Sequence, residues 1–306
     1  MIDMRVRATG PAGRLVRIGG RAVHVLGTEP PDGVPGGTPT VVFESGLAAP
    51  VQAWTWVREA VTPHARTVSY ERAGTGFSGR APGPRAVPRL AAELGEVLDA
   101  LAVTGPVVLV GHSFGGLVTR CFAGRYPHRV AGLVLVDALH PEELRRSATQ
   151  RRGMAWLEQS LQLSALRALL RLGRREIADQ FTELPETAAR QARERMHVPG
   201  VWRTAAAELV AWKNADPADL TGGPFPAHST LGVVISGESL RNDAAHRKLQ
   251  DELCALAPDP VVTLVRDASH FGLVLEREHG RTVADTINTV LATANVPDGE
   301  GEHVAR

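Results

Sequence analysis

The sequence has 306 residues and is poor in lysine, since only Lys213 and Lys248 occur among its 34 basic residues. The other basic residues are arginines spread along the chain, a pattern that fits a GC-rich coding sequence better than a concentrated anion-binding surface. The formal net charge is +1. A nearly neutral chain gives no indication of nucleic acid or of an acidic surface as a partner.

Cysteine is also scarce, and the sequence contains no long apolar run. Its two cysteines, Cys121 and Cys254, lie far apart in predicted helices. This spacing argues against a disulfide framework and is compatible with a reducing compartment. No apolar stretch has the length of a signal peptide or of a membrane span. We therefore expect a cytoplasmic protein without a membrane span, and the sequence gives no signal for an oligomeric state.

Short apolar runs alternate with helical patterns along most of the chain, which is typical of a mainly parallel sheet covered by helices. Residues 106–110 are wholly apolar, as strands buried on both faces of a parallel sheet are. Strands are predicted at 15–18, 22–27, 40–43, 67–70, 106–110, 130–136, 231–235 and 261–265. Helices are predicted at 51–61, 86–101, 114–126, 244–256 and 273–293. The predicted fold class is α/β, with a mostly parallel central sheet flanked by helices.

One stretch, residues 141–228, breaks this alternation because it contains helical patterns and no convincing strand. We predict that it forms a helical cap inserted into a core of residues 1–140 and 229–296, with 297–306 as a disordered tail. Its large apolar residues suggest a mostly apolar pocket roof, and they are Trp156, Leu157, Leu161, Trp202 and Trp212. A basic amphipathic helix here would also suit a membrane surface, but insertion between strands of one domain favours a cap. The arginines concerned are Arg167, Arg171, Arg174 and Arg175.

The strongest chemical signal is segment 111–116, Gly-His-Ser-Phe-Gly-Gly, which fits the pattern G-x-S-x-G. A predicted buried strand precedes it and a predicted helix follows, which is the context of a nucleophile elbow. Such a turn exposes the serine, and the start of the helix directs amide N–H groups toward developing negative charge. A serine hydroxyl still needs a base to remove its proton before it attacks. We therefore predict Ser113 as a nucleophile and expect a histidine as its base.

This elbow and several other segments resemble the α/β-hydrolase superfamily, and the resemblance covers most of the chain. Segment 41–47, Val-Val-Phe-Glu-Ser-Gly-Leu, resembles the family's strand and His-Gly-x oxyanion loop, with Ser45 in place of the usual histidine. The resemblance implies that the backbone N–H groups of Leu47 and Phe114 form an oxyanion hole. Segment 71–78, Glu-Arg-Ala-Gly-Thr-Gly-Phe-Ser, resembles the family's D-x-R/G-x-G-x-S turn after the fourth strand. We expect a structural role for that turn.

The resemblance also places the general base in the loop after the last predicted strand. Segment 267–271 reads Asp-Ala-Ser-His-Phe there, which predicts His270 as the base. The family more often has Gly-His than Ser-His at this point. His140 follows another predicted strand and is the alternative. His112 is expected to point into the sheet packing, and His279 falls within a predicted helix.

The acid of the triad is open between three carboxylates. Many members of the family place an aspartate in a Gly-x-x-Asp turn after the next-to-last strand, but Leu240 has that position here. Asp243 and Glu238 lie close to this turn. A subset of the family places the acid one strand earlier, where this chain has Asp137. We favour Asp137, and the acid is expected to hold the histidine in the correct tautomer.

Together these residues predict a serine hydrolase that cleaves an ester, thioester or lactone of a mostly apolar small molecule through an acyl-enzyme on Ser113. Epoxides and carbon–halogen bonds are disfavoured because family members that act on them use an aspartate nucleophile. The sequence has no H-E-x-x-H, paired-cysteine or dinucleotide-binding motif, so we expect no metal and no cofactor. Amide or carbon–carbon bond hydrolysis stays open. So does a non-hydrolytic relative that binds a ligand or catalyses a rearrangement.

Overall fold

The computed structural model describes residues 13–29, 31–172 and 179–294. These residues form an eight-stranded sheet with the strand order β1-β2-β4-β3-β5-β6-β7-β8. The predicted tail at 297–306 lies outside the described residues, as do Arg174 and Arg175 of the predicted basic helix. The mostly parallel α/β architecture expected from the sequence is confirmed.

Each predicted strand is present within a few residues of its expected bounds. The strands are β1 (Arg14–Ile18), β2 (Arg21–Thr28), β3 (Thr40–Glu44), β4 (Thr67–Tyr70), β5 (Val107–His112), β6 (Val130–Val136), β7 (Thr230–Ser236) and β8 (Val261–Val265). β1 and β2 form a hairpin, and its turn at Gly19 and Gly20 has positive φ at both residues, which glycine adopts without strain. β2 pairs antiparallel with β4, whereas β3 to β8 are mutually parallel.

Helices cover both faces of the sheet. They are α1 (Thr55–Val61), α2 (Val87–Ala100), α3 (Phe114–Arg125), α4 (Glu143–Arg146), α5 (Ala148–Leu169), α6 (Glu186–Met196), α7 (Pro199–Lys213), α8 (Pro217–Thr221), α9 (Gly237–Asn242), α10 (Ala244–Cys254), α11 (Gly272–Leu275) and α12 (Arg277–Thr293). The predicted helix at 51–61 begins as a 3₁₀ turn, Val51–Trp54. The one at 273–293 is divided at Glu276, whose backbone is extended. None of the described helices is long and apolar enough to cross a membrane.

The core has two halves because successive side chains of a strand point to opposite faces of the sheet. On β5, Leu109 packs with α2 and α3, while Val108 and Val110 pack with α1 and α12. All three side chains are fully buried. The central strands are therefore covered on both faces, as their wholly apolar sequences predict.

Between β6 and β7, the described residues form helices α4 to α8 and no strand. This part has a small apolar cluster of its own, made of Phe181, Leu184, Ala189, Ala192, Met196 and Val201. Leu161 and Trp212 instead pack into the main core. Trp156 is 70% exposed, so the expectation that it lines a pocket roof is wrong. It is wrong because its side of α5 faces away from the packed elements.

Candidate active site

Ser113 lies at the sharp turn between β5 and α3 that the G-x-S-x-G pattern predicts. Its φ is 54° and its ψ is −122°, a backbone conformation that costs energy for any residue other than glycine. The flanking glycines permit the turn. A Cβ added at Gly111 would lie 2.4 Å from Thr119 Oγ1, and one at Gly115 would lie 2.3 Å from Glu44 O. The side chain of Ser113 is thus carried on a strained and closely packed turn at the carboxyl edge of the sheet.

Asp137 and His270 are joined directly at this edge. Asp137 Oδ2 lies 2.6 Å from His270 Nδ1. Asp137 follows β6 and is fully buried, whereas the His270 side chain is 29% exposed. The carboxylate also accepts hydrogen bonds from Ser236 N at 3.1 Å, from Ser236 Oγ at 2.9 Å and from Ser239 Oγ at 2.6 Å. Four donors therefore converge on one carboxylate.

These donors decide the ionisation of Asp137. Burial alone would raise the pKa of its carboxyl, because a dry environment disfavours the charged form. The hydrogen bond and charge of His270, with hydrogen bonds from Ser239 and Ser236, outweigh burial and lower the pKa to about 2. Asp137 is consequently an anion at neutral pH, as a group that stabilises a protonated imidazole must be.

The other two carboxylate candidates have different partners. Asp243 Oδ1 accepts hydrogen bonds from Ala245 N at 2.9 Å and from His246 N at 3.2 Å, so it caps α10. The hydroxyl of Ser147 donates to its other oxygen. Glu238 Oε2 accepts from the backbone N–H of His270 at 2.9 Å and not from the ring. Among the described residues, Asp137 is the carboxylate that bonds the imidazole of His270.

His112, the residue before Ser113, contacts His270, and the sequence did not predict this contact. Its Nε2 lies 3.1 Å from the backbone O of His270, and the two ring centroids are 4.6 Å apart. Burial and the neighbouring His270 lower the pKa of His112 to about 3, so its ring is neutral at ordinary pH. His270 is thus held at Nδ1 by Asp137, at its backbone N–H by Glu238 and at its backbone carbonyl by His112.

The structure brings His270 beside the Ser113 turn without joining the two side chains. Among the hydrogen bonds of the described residues, none links Ser113 Oγ with His270. Hydrogen bonds between a nucleophile and its base are often long until substrate binds. The contact between Ser113 and His270 therefore stays a prediction. The alternative base, His140, accepts a hydrogen bond from Glu142 N at 3.0 Å through Nδ1 and has Glu252 near its other nitrogen at 3.7 Å.

The predicted oxyanion loop packs against the Ser113 turn. A Cβ added to Gly46 would lie 3.3 Å from Ser113 Cβ, so the loop backbone closely approaches the serine. Leu47 follows this glycine. Phe114 is the first residue of α3, and the first N–H groups of a helix have no intrahelical acceptor. Ser45, which replaces the usual histidine, accepts a hydrogen bond from Trp54 Nε1 at 3.1 Å.

No group of three or more His, Cys, Asp or Glu side chains within the described ranges is arranged to hold a metal ion. The polar residues that sequence reasoning missed at this site are Ser236, Ser239 and His112. Ser236 is the last residue of β7 and Ser239 follows three residues later, and β7 neighbours β6 in the sheet. Polar residues at the ends of adjacent parallel strands are the signal that could have identified them.

The fold and the residues at its carboxyl edge define the α/β-hydrolase class. The sequence model described as the Alpha/beta hydrolase family matches residues 35–286, and the chain belongs to that family. An AB hydrolase superfamily protein of Gibberella zeae is 35% identical over 104 residues, which are 33% of this chain and 32% of that protein. The 2-hydroxy-6-oxo-2,4-heptadienoate hydrolase of Pseudomonas putida is 37% identical over 133 residues, or 42% of this chain and 45% of that enzyme. These alignments thus span less than half of either relative.

Two solved structures show the same fold at low sequence identity. A thermophilic esterase from Thermogutta terrifontis has a TM-score of 0.63 and 20% identity, over 92% of this chain and 99% of that one. The enol-lactonase from Burkholderia xenovorans has a TM-score of 0.66 and 19% identity, over 91% of this chain and 100% of that one. The chain thus belongs to the family and shares the fold of these two enzymes.

Proposed function

We propose that this protein is a serine hydrolase that cleaves an ester, thioester or lactone through an acyl-enzyme on Ser113. The observation that carries the proposal is the 2.6 Å contact between Asp137 Oδ2 and His270 Nδ1. It joins an ionised, buried carboxylate to an imidazole beside a serine on a strained turn. A carboxylate that orients a histidine in this way is the arrangement that activates a serine hydroxyl.

In the proposed first step, Ser113 Oγ attacks the substrate carbonyl carbon while His270 Nε2 accepts the hydroxyl proton. Asp137 supports this role because its carboxylate accepts the Nδ1–H hydrogen bond and leaves Nε2 free of a proton. The carbonyl oxygen becomes an anion, and the amide N–H groups of Leu47 and Phe114 stabilise it. The imidazolium then gives its proton to the leaving oxygen or sulfur, and the acyl group stays on Ser113.

The second step releases the acid. His270 Nε2 accepts a proton from water as the water oxygen attacks the acyl carbon. The tetrahedral anion is again stabilised by the Leu47 and Phe114 amides, and its collapse returns the proton to Ser113 Oγ. Atoms balance without a metal, a redox step or a cofactor.

The substrate class is proposed from the insertion and from the relatives. The helical part at residues 141–228 is proposed as a cap over Ser113. Trp202 packs against both the main core and the insertion's own cluster, as does Ala48, the residue after Leu47. Because Ala48 directly follows the oxyanion loop, this apolar packing favours a mostly apolar small molecule as substrate. Solved neighbours named as an esterase and an enol-lactonase support a carbonyl substrate.

The test is turnover of a panel of p-nitrophenyl esters with acyl chains from acetate to dodecanoate. We expect many turnovers per enzyme and a clear preference for one range of chain lengths. Release of a single equivalent of p-nitrophenol, with no further turnover on any ester or lactone, would instead favour the ligand-binding alternative.

A further inference from the structure

Arg72, in the turn after β4, is a buried arginine whose side chain is 5% exposed. A guanidinium carries five N–H donors in a fixed plane, and five contacts use them here. Nη1 donates to Glu44 Oε1 and to the backbone O of Ser45, each at 2.6 Å. Nη2 donates to Gly46 O at 3.1 Å and to Glu208 Oε2 at 2.8 Å, while Nε donates to Glu208 Oε1 at 2.9 Å.

Two of these contacts end on the backbone of the predicted oxyanion loop. The carbonyl of Gly46 and the N–H of Leu47 belong to one trans peptide unit, in which the two groups point in opposite directions. A donor that holds Gly46 O therefore also fixes the direction of the Leu47 N–H. A cationic donor on the carbonyl further polarises the peptide and strengthens its N–H as a donor.

Arg72 also contacts the other half of the predicted oxyanion hole. Its guanidinium carbon lies 5.6 Å from the centroid of the Phe114 ring, within cation–π range. Phe114 is the residue whose backbone amide is the second predicted donor. One side chain thus touches the loop that carries the first amide and the residue that carries the second.

The partner that orients Arg72 comes from the insertion. Glu208 lies on α7, is fully buried and binds Arg72 through both carboxylate oxygens. Burial alone would lower the pKa of Arg72, but the charges of Glu208 and Glu44 raise it above its usual value. Arg85 completes the cluster with bonds to Glu93 at 2.8 Å and to Glu208 at 3.5 Å. Loss of one charge here would leave another buried without its counter-ion.

We propose that Arg72 is a positioning residue for the oxyanion hole and that Glu208 makes its orientation depend on the placement of α7. Movement of the insertion is thereby coupled to the direction of the Leu47 N–H, so that the site is complete only when α7 is docked. The predicted effect of this inference on catalysis rests on the proposed function. The contacts of Arg72 and Glu208 that support it are independent of that function.

The catalytic test compares Arg72→Lys with wild type on one activated ester. Lysine keeps the charge but cannot reproduce a planar arrangement of five donors. We expect kcat to fall by about 10²-fold with little change in KM. A displaced Leu47 amide weakens stabilisation of the developing oxyanion and hardly affects binding of the uncharged substrate. A trifluoromethyl ketone, which forms a tetrahedral adduct, should lose affinity in parallel, and the pH profile of kcat should keep its shape.

Arg85→Lys is the matched control, because it perturbs the same buried cluster and touches neither loop carbonyl. It should lower thermal stability as much as Arg72→Lys does while leaving kcat and inhibitor affinity close to wild type. Equal catalytic losses in both variants would overturn the proposal, since the effect would then be general destabilisation. If Arg72→Lys does not fold, Glu208→Gln replaces it, with an expected loss of about tenfold in kcat.

A readout independent of turnover separates this inference from the proposed function. The Leu47 amide resonance in a ¹⁵N-labelled protein should shift in Arg72→Lys or Glu208→Gln and stay in place in Arg85→Lys. Absence of ester turnover in wild type together with this shift would remove the proposed function and leave the coupling standing. An unchanged Leu47 resonance in Arg72→Lys or Glu208→Gln would overturn the coupling even in an active esterase.

Discussion

Asp137 and His270 are 133 residues apart in the chain, and a 2.6 Å contact joins their side chains. Asp137 follows β6 and His270 follows β8, with β7 between these strands in the sheet. Parallel strands end at the same edge, so residues that follow them meet there. Ser236, the last residue of β7, and Ser239, shortly after it, both donate hydrogen bonds to the Asp137 carboxylate. This arrangement supports Asp137 as the acid over Asp243 and Glu238.

The acid assignment predicts different outcomes for two matched substitutions. Asp137→Asn should lower kcat by roughly 10⁴-fold at neutral pH, because an amide cannot hold the productive tautomer or stabilise the imidazolium. Asp243→Asn should keep most of the activity, since asparagine can also cap α10. Steady-state kinetics on a shared ester measures both. A large loss in Asp243→Asn with a mild one in Asp137→Asn would transfer the role to the later loop.

The lowered pKa of Asp137 predicts a pH dependence of stability with a definite sign. A carboxyl whose pKa falls from 3.8 unfolded to about 2 folded stabilises the native state above pH 4, and that contribution disappears as pH falls toward 2. The difference is roughly 2 kcal/mol, at about 1.4 kcal/mol per pKa unit. Urea unfolding at several pH values should therefore show a steeper fall for wild type than for Asp137→Asn between pH 4 and pH 2. Parallel curves for the two proteins would contradict the assigned pKa.

The insertion offers a matched pair of tryptophans for testing substrate choice. Trp202 is partly buried between the main core and the insertion's own cluster and donates its indole N–H to Met196 O at 2.7 Å, whereas Trp156 is 70% exposed. Trp202→Ala should change the ranking of acyl chain lengths more than it changes turnover of the acetate ester. Trp156→Ala should leave that ranking as it is. If neither variant changes the ranking of the esters, the insertion does not control substrate choice through Trp202.

Local patterns in the sequence predicted the strands, most helices and the Ser113 turn, because each depends on residues close together in the chain. Asp137 could be favoured from its place after β6, since strand ends converge at one edge. The contact between His112 and His270 spans 158 residues, and that between Arg72 and Glu208 spans 136. Neither has a local pattern. Trp156 looked like part of a pocket roof because composition alone does not show which side of α5 packs.

The central claim is that Ser113 forms the covalent intermediate, and mapping an active-site adduct by mass spectrometry tests it most directly. A fluorophosphonate should label wild type with one equivalent on the peptide that contains Ser113. Ester turnover should fall in proportion to the fraction of enzyme that is labelled. Ser113→Ala should keep the wild-type fold by circular dichroism, take up no label and lose about 10³-fold or more in kcat. An adduct on another residue, or near-wild-type turnover by Ser113→Ala, would contradict the account.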